Sequence, residues 1–363
     1  RTNLCSNDTG GIKMPLTTQQ KETYKIFSQH GSGDAMVEIT ATDVVLLIHI
    51  AYLDVHDGES AEWFIKEFEE LAKKDFFCLT PAEIASLPEQ SKEVAVDLLQ
   101  RCGATTTTNI LFLYLKNLAE LYRRRFKFYR ILCSQPFPQT EQIGPRCLLE
   151  YGRCEDTLLF DWMSWRKLIY DIDNRSAQET VYLFEPILAS CLGGEPVSAK
   201  RSPVKRIDNN GAPTKDGRQV DCYIEDKKEV YELKMRVTIA ASGQGRFNEE
   251  LSFPYEARMA GLTPILVVFD STHSPLLEKL QDKYIKEGGR CVIGDSAWTF
   301  LTQKAGSAMG KYILKYIKPP IEKMENEKEQ IPGNIHLSAE NGKIVISNSN
   351  GNEYEIPREM LTE

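Results

Sequence analysis

The sequence predicts an α/β protein, with a helical first half and a second half in which helices and strands alternate. Between residues 36 and 174, apolar residues recur at the spacing of one helix face. From about residue 175, short strand-like segments alternate with helical ones. Among them, Thr263–Asp270 is a continuous apolar segment bounded by residues that end strands. Such a segment is typical of a strand that is covered on both faces.

We expect the chain to have four parts. Residues 1–35 are polar and contain several glycines, which predicts a loosely held N-terminal arm. Residues 36–174 form a helical region, and residues 175–320 form the α/β domain. Residues 331–363 hold apolar segments separated by an Asn-Gly turn, which predicts a small β-appendage.

Several helix boundaries follow from local signals. Thr80–Glu83 has the order of a capping box, with proline at the first helical position. The longest helix is expected over Asn109–Cys133, because apolar residues persist there until Pro136 stops the pattern. A further helix is expected over Ser176–Leu192, since Ser176 is a good N-cap and Gly193 is a good stop.

The composition excludes several classes of protein. In 363 residues, 42% are hydrophobic and 26% are charged, which is ordinary for a globular enzyme. The net charge of −8 argues against a protein that coats nucleic acid, although it permits a local basic cleft. Nine cysteines without a paired spacing indicate a reducing compartment, and five scattered histidines argue against a zinc site. The sequence shows no signal peptide and no apolar segment long enough for a membrane helix.

One predicted hairpin concentrates acidic and basic groups. Its two strand-like segments are residues 218–224 and 230–237, joined by a charged turn. A turn centred midway between them would place Asp221 opposite Glu232, because both lie equally far from that centre. Lys234 shares the face of Glu232, since side chains two residues apart point to the same side of a strand. Two carboxylates and an ammonium therefore converge on one spot.

This cluster has two interpretations. Neighbouring carboxylates repel by about 1 kcal/mol in water and several times more near a protein surface, and a bound Mg²⁺ would remove that repulsion. In the alternative, Glu232 and Lys234 are exposed positions on an edge strand, where lysine guards against aggregation. The Glu-x-Lys spacing alone favours the alternative, because Glu225–Lys227 repeats it in the turn. The order of the surrounding helices and strands distinguishes the metal-site interpretation from the edge-strand interpretation.

That order is a helix, a hairpin carrying Asp and Glu-x-Lys, a helix and a buried strand, which resembles the PD-(D/E)xK nuclease superfamily. The resemblance implies a mixed central sheet flanked by helices, with residues 175–320 as the catalytic domain. It implies that Asp221, Glu232 and the Leu233 backbone carbonyl bind the metal, and that Lys234 activates the attacking water. Glu185, on the preceding helix, matches the family's additional glutamate. The residue before Asp221 is valine instead of the usual proline.

Within that superfamily, the chain resembles the type II restriction endonucleases. Arg146–Gly152 and Asp171–Arg175 look like segments of ApaLI-type enzymes. The resemblance implies Mg²⁺-dependent, sequence-specific cleavage of double-stranded DNA in the bacterial cytoplasm. It also implies a homodimer, since a palindromic target pairs naturally with two-fold symmetry. The helical region would then position DNA or form the dimer contact. A cognate DNA methyltransferase would act on the same site without forming a required complex.

Basic and polar residues near the hairpin are candidates for DNA contact, because Arg and Lys bind phosphates and Arg or Gln reads base edges. For the loop after the second strand, two roles are equally supported: it contacts DNA, or it only joins the strand to the next helix. The proposed set is Lys200, Arg201, Lys205, Arg206, Arg236, Ser242, Gln244 and Arg246, with Arg218 and Arg258 in the same segment. Arg123–Arg130 could form a second DNA surface, but such a stretch is more often one solvated helix face.

Three rival interpretations compete with this one. Gly306–Lys311 resembles a phosphate-binding loop, but it is one residue short and lacks the Ser or Thr after the lysine. The second candidate function is a structure-specific repair or recombination nuclease on the same core. The third is a non-catalytic DNA-binding protein, which the intact Asp221, Glu232 and Lys234 disfavour.

Overall fold

The structure is a computed structural model that describes residues 15–28, 37–208, 210–235, 244–326 and 335–359. The helices are α1 (Thr18–Ser28), α2 (Ala41–Val55), α3 (Lys66–Ala72), α4 (Pro81–Ala85), α5 (Lys92–Arg101), α6 (Ile110–Ser134), α7 (Thr140–Ile143), α8 (Asp156–Leu192), α9 (Gln244–Met259), α10 (Pro275–Lys286), α11 (Asp295–Lys304), α12 (Gly306–Tyr312) and α13 (Lys318–Asn326). The strands are β1 (Glu195–Val197), β2 (Lys205–Ile207), β3 (Pro213–Gly217), β4 (Val220–Ile224), β5 (Glu229–Lys234), β6 (Thr263–Val268), β7 (Arg290–Ile293), β8 (Ile335–Glu340), β9 (Lys343–Asn348) and β10 (Glu353–Pro357). Short 3-10 segments cover Phe76–Cys78 and Gly144–Leu149, and a π-helical segment covers Ile313–Ile317.

The chain divides into two compact units, and the main boundary falls between Ala119 and Glu120. The first unit is helical, as predicted, and α2 is its most buried helix. A capping box between Thr40 and Asp43 starts α2, and the side chains from Val44 to Ile48 are almost fully buried. Among the described residues, no helix combines the length and apolar composition needed to cross a lipid bilayer.

The described part of the N-terminal segment differs from the loosely held arm that the sequence predicts. Residues 18–28 form helix α1. Its Tyr24 and Phe27 are buried, and the Phe27 ring packs edge-on against Phe112 at 5.3 Å. Two aromatic side chains are enough to hold this otherwise polar helix against its unit, because each buries a large apolar area. Residues 1–14 and 29–35 of the predicted arm lie outside the described residues.

Helix boundaries were predicted well where a local signal exists. The capping box at Thr80 is confirmed, and the predicted helix over Asn109–Cys133 is α6. The predicted helix start at Ser176 is wrong, because α8 already begins at Asp156. The Glu155 carboxylate caps it by accepting hydrogen bonds from the amides of Thr157 and Leu158. The predicted domain boundary at residues 174 and 175 therefore falls inside one helix.

A five-stranded sheet in the order β1-β4-β5-β6-β7 forms the centre of the second unit. The pairs β1–β4 and β4–β5 are antiparallel, whereas β5–β6 and β6–β7 are parallel, so the predicted mixed sheet is confirmed. On one face, Phe253 of α9 and Leu280 of α10 pack in a cluster with Val230 and Leu266. Strand β6 is buried from Pro264 to its end, as the apolar segment predicted.

Helix α8 ends where the sheet begins. Gly193 adopts a left-handed conformation with φ of 79°, which ends the helix as predicted. At Gly194, an added Cβ would lie 2.5 Å from the Cys222 sulfur, so only glycine permits this close approach of the chain to β4.

The predicted C-terminal β-appendage corresponds to a separate three-stranded sheet in the order β10-β9-β8. Asn341 and Gly342 form its β8–β9 turn with positive φ angles of 50° and 75°. Ile344 and Ile356 of this sheet pack with Leu168 of α8. The sheet is therefore attached to α8 by an apolar contact.

Candidate functional site

The β4–β5 hairpin has the register that the sequence predicts. Cys222 pairs with Tyr231, and Ile224 pairs with Glu229. Extending this register by one residue places Asp221 directly opposite Glu232, on the same face of the sheet. The two carboxylates are therefore neighbours across the strands, at the end of the hairpin away from its turn.

Asp221 is a buried carboxylate. It is 9% exposed, and its Oδ2 accepts a hydrogen bond of 2.8 Å from the Leu233 amide. Burial raises the pKa of Asp221 well above its usual value, and the negative charges of Glu232 and Glu185 raise it further. An ionised Asp221 is consequently costly in the protein without a counter-ion.

Lys234 lies between two glutamates. Its ammonium Nζ is 3.2 Å from Glu232 Oε1 and 3.2 Å from Glu250 Oε1. Burial works against the charge of Lys234, but the two carboxylates outweigh it and raise its pKa. Lys234 is therefore held as a charged donor at a position fixed by a strand and by α9.

Sequence reasoning missed Glu250. This residue lies on α9 three residues before Phe253 and seven before Ala257, both of which pack against the sheet. Glu250 Oε2 is buried and has no hydrogen-bond partner within the part of the chain that the structure describes, although Oε1 contacts Lys234. A carboxylate at a helical interval from buried apolar positions is the sequence signal that could have identified it.

Glu185 is close enough to the cluster to interact electrostatically. It lies on α8, and burial followed by the charge of Glu232 raises its pKa. It is also among the groups that raise the pKa of Asp221. Among the described residues, Glu232 and Glu250 thus contact Lys234 directly, Asp221 interacts with Lys234 electrostatically, and Glu185 interacts with Asp221 and Glu232.

A cleft of about 240 Å³ opens beside this cluster. Glu232, Lys234 and Glu250 line it, and so do Arg206 and the buried Tyr284. Burial raises the pKa of the Tyr284 phenol, and the charges of Glu232 and Asp221 raise it further. The phenol therefore stays protonated next to the carboxylates.

Arg218 and Arg206 also line this cleft. Arg218 is buried and donates from Nε to Glu256 Oε2 at 2.5 Å and from a terminal nitrogen to the Glu249 carbonyl at 3.0 Å. Arg206 is 3.2 Å from the Glu249 carboxylate, and its side chain is 41% exposed. Arg218 is therefore held against α9 by its own contacts, whereas the Arg206 side chain remains accessible.

The other expected DNA contacts are placed as follows. Lys200 and Arg201 lie in an exposed turn, and Lys205 is a half-buried residue of β2. The Arg258 guanidinium donates to Glu287 at 2.6 Å. Gln244 and Arg246 fall in α9, although their side chains lie outside what the structure describes, as do Arg236 and Ser242 entirely.

The basic segment of α6 is largely neutralised. Arg124 pairs with Glu120 at 2.7 Å and with Glu179 at 2.5 Å, and Lys127 pairs with Glu179 at 2.7 Å. Arg123 pairs with Glu120 at 2.5 Å. These ion pairs support the structural interpretation of Arg123–Arg130 over a second DNA surface.

The donor chemistry of the cluster fits a hard divalent cation. Asp221, Glu232 and Glu250 offer carboxylate oxygens, which Mg²⁺ prefers as ligands. One of these oxygens, Glu250 Oε2, has no hydrogen-bond partner among the described residues. Within the described residues, no three His, Cys, Asp or Glu side chains are arranged as a metal site. Mg²⁺ is commonly bound by only one or two carboxylates together with water and substrate phosphates, so two side-chain ligands and a backbone carbonyl are sufficient.

Comparisons with known proteins agree with this chemistry. Residues 78–318 match the ApaLI-like restriction endonuclease family. The chain is also 41% identical over 322 residues to a protein described as "Type II restriction enzyme ApaLI" from Acetobacter pasteurianus, a match that covers 87% of this chain and 84% of the relative. No solved structure matches the chain significantly.

These matches define the chain as a type II restriction endonuclease, a site-specific deoxyribonuclease. Within that class, it belongs to the ApaLI-like restriction endonuclease family. The resemblance noted from Arg146–Gly152 and Asp171–Arg175 is confirmed at the level of the family.

Proposed function

We propose that the chain cuts both strands of duplex DNA at a specific sequence by Mg²⁺-dependent hydrolysis, using a PD-(D/E)xK active site. The observation that carries this proposal is the Lys234 ammonium, held 3.2 Å from both Glu232 and Glu250 and beside the buried Asp221. A structural edge-strand lysine would be solvated, whereas the Lys234 side chain is only 14% exposed.

The residues have distinct roles in this proposal. Asp221, Glu232 and the Leu233 backbone carbonyl would hold Mg²⁺, with Glu185 as a further ligand. Bound Mg²⁺ would supply Lewis acidity toward the phosphate oxygens. Lys234 would donate a hydrogen bond to the attacking water, orient it, and offset the negative charge that develops on the phosphate.

DNA would approach the cleft beside β4 and β5. Arg206 lines that cleft and keeps an exposed guanidinium, which supports its role as a phosphate contact. We extend the proposal to the neighbouring cations Lys200, Arg201 and Lys205. Arg236, Ser242, Gln244 and Arg246, which follow Lys234 along the chain, would be further DNA contacts.

The remaining parts of the proposal concern assembly and location. A duplex has two strands and the proposed chain carries one active site, so we expect a homodimer on a palindromic target. The helical region would position the DNA or contribute to that dimer. The enzyme would act in the bacterial cytoplasm, where DNA is located, and a methyltransferase would protect the same site independently.

The test is plasmid digestion with Mg²⁺. The wild type should yield discrete bands, and Asp221→Ala and Lys234→Ala should yield none. Glu225→Ala and Lys227→Ala are the controls, because each removes a charge of the same sign as its counterpart, a carboxylate for Asp221 and an ammonium for Lys234, from the exposed turn of the same hairpin. Both controls should cut like the wild type.

Each alternative predicts a different result. Cutting only of branched substrates, or smearing, would favour a repair nuclease. No cutting by the wild type, with DNA binding retained, would favour a non-catalytic DNA-binding protein. Run-off sequencing of the cut plasmid would give the recognition sequence and the overhang.

A further inference from the structure

Exposed apolar side chains are concentrated in one short part of the chain. In the described residues, 21 large hydrophobic side chains are exposed, and ten of them lie between residues 148 and 182. Single exposed apolar residues are normal on a protein surface, whereas a concentration of them marks an interaction site. This stretch covers the end of the second 3-10 segment and much of α8.

Six of these side chains lie on the first part of α8 or on the segment before it, and we call them the 148–169 patch: Leu148, Leu149, Tyr151, Leu158, Trp162 and Ile169. The last three share a face of α8, because they are separated by four and seven residues. The Glu150 carboxylate joins the two parts, accepting hydrogen bonds from Trp162 Nε1 at 3.1 Å and from Arg166 at 2.8 Å. Residues 148–151 therefore lie beside the Trp162 face of α8.

The patch is large enough to form the apolar centre of a protein interface. Its members are exposed by 47% at Ile169 to 80% at Leu148 and Leu149. The aromatic members Tyr151 and Trp162 would each bury roughly 150–250 Å² in full, and the four aliphatic members add to this area. Each partner contributes about 800 Å² to a standard interface, so the patch would supply a large part of it.

The charge around the patch favours a protein over DNA as its occupant. Between residues 141 and 175 there are seven acidic and five basic side chains, a net charge of −2. A surface that binds the phosphate backbone requires an excess of positive charge. Apolar side chains with Arg166 and Glu150 next to them instead suit a partner that presents both an apolar surface and charges of both signs.

We propose that the 148–169 patch binds the same patch on a second copy of this chain, around a two-fold axis. A two-fold interface is isologous, so it requires a self-complementary surface. The patch meets this requirement, because its apolar centre would meet an apolar centre and Arg166 of each copy would lie near Glu150 of the other. The choice of a second copy rests on the proposed function, since cutting two strands needs two active sites.

The test measures the oligomeric state by sedimentation, without DNA and with a chelator present. The wild type should be a dimer. Trp162→Glu and Leu149→Glu should each weaken dimerisation by at least about 30-fold, the effect of removing one central interface residue. Ile285→Glu is the matched control, because Ile285 is a 56% exposed apolar residue on α10 outside the patch, and this variant should remain dimeric.

Far-ultraviolet circular dichroism and thermal unfolding establish that each variant is folded. A monomeric wild type, or folded Trp162→Glu and Leu149→Glu variants that dimerise as tightly as the wild type, would overturn the proposal. Asp221→Asn separates the two proposals, because it should remain dimeric while losing cleavage. A wild type that dimerises through the patch but does not cut DNA would therefore refute the proposed function and leave the interface standing.

Discussion

Replacing Asp221 by Asn should stabilise the metal-free protein while abolishing cleavage. Asp221 lies opposite Glu232 in the β4–β5 register, and cross-strand partners have Cβ atoms about 4.5–5.5 Å apart. Two charges at about 5 Å repel by roughly 3 kcal/mol at an effective dielectric constant near 20. Attraction to Lys234 offsets part of this, so we expect a net gain of about 1–3 kcal/mol. Asn also keeps an oxygen that accepts the Leu233 amide.

The stability gained by replacing Asp221 with Asn depends on pH and on Mg²⁺. Because the pKa of Asp221 is raised on folding, the wild type loses stability as pH rises above the unfolded value of about 3.9, until the folded pKa is passed. The advantage of Asn should therefore shrink as pH falls toward 4. Saturating Mg²⁺ should make the wild type more stable than Asp221→Asn, since a ligand at about 100 times its Kd stabilises the protein that binds it by about 2.7 kcal/mol.

The assay is thermal unfolding in EDTA and in Mg²⁺, where each kcal/mol shifts the Tm by roughly 2–4 °C for a unit of 150–250 residues. Glu225→Gln, an exposed carboxylate in the same hairpin, is the control and should leave the Tm unchanged. An Asp221→Asn variant that melts below the wild type in EDTA would refute the electrostatic reasoning. So would an equal response of both proteins to Mg²⁺.

Three further predictions concern other carboxylates and a histidine. Glu250→Gln should lower kcat about 10- to 100-fold in plasmid cleavage, because it removes one charged hydrogen bond to Lys234 that contributes about 1.5–3 kcal/mol. Glu179→Ala should reduce the free energy of unfolding by about 3–5 kcal/mol in urea, since it leaves two buried cations of α6 without one partner. His49 accepts the Ile65 amide, and burial lowers its pKa. Its contribution to stability should be complete above pH 6.5 and lost as pH falls through its lowered pKa, and this loss should be absent in His49→Gln.

Each of these predictions has a contradicting outcome. An unchanged kcat for Glu250→Gln would show that Glu232 alone positions Lys234. For Glu179, the control is Glu322→Ala, which breaks an exposed pair with Lys318 and should cost less than about 1 kcal/mol. Equal losses in the two variants would refute the argument from burial. For His49, curves of unfolding free energy against pH that run parallel in the wild type and in His49→Gln would refute the argument from its lowered pKa.

The hairpin could be predicted because its geometry is local. The turn between β4 and β5 fixes the register, so the paired residues follow by counting outward from it. The two-residue period of a strand then places Asp221, Glu232 and Lys234 on one face. The same locality explains why the capping box at Thr80 was predicted correctly. Short-range signals determine these features without tertiary information.

Features that depend on distant contacts could not be predicted in the same way. Glu250 joins the site only because α9 packs its Phe253 face on the sheet. Arg218 looked like a DNA contact, but its guanidinium meets Glu256, which is 38 residues away. Ser176 looked like an N-cap, but no residue that breaks a helix precedes it, and α8 continues through it.

The length of α8 has a mechanical consequence. With 37 residues, this helix extends about 55 Å. It carries Leu158 and Trp162 near its start and Glu185, which interacts with Asp221 and Glu232, near its end. Pro186 lacks an amide hydrogen, so the backbone hydrogen-bond ladder is interrupted one residue beyond Glu185. Helix α8 is thus one continuous helix that carries part of the 148–169 patch near its start and Glu185 near its end, with one backbone hydrogen bond missing beside Glu185. The proposed assembly and the proposed chemistry therefore depend on the same backbone element.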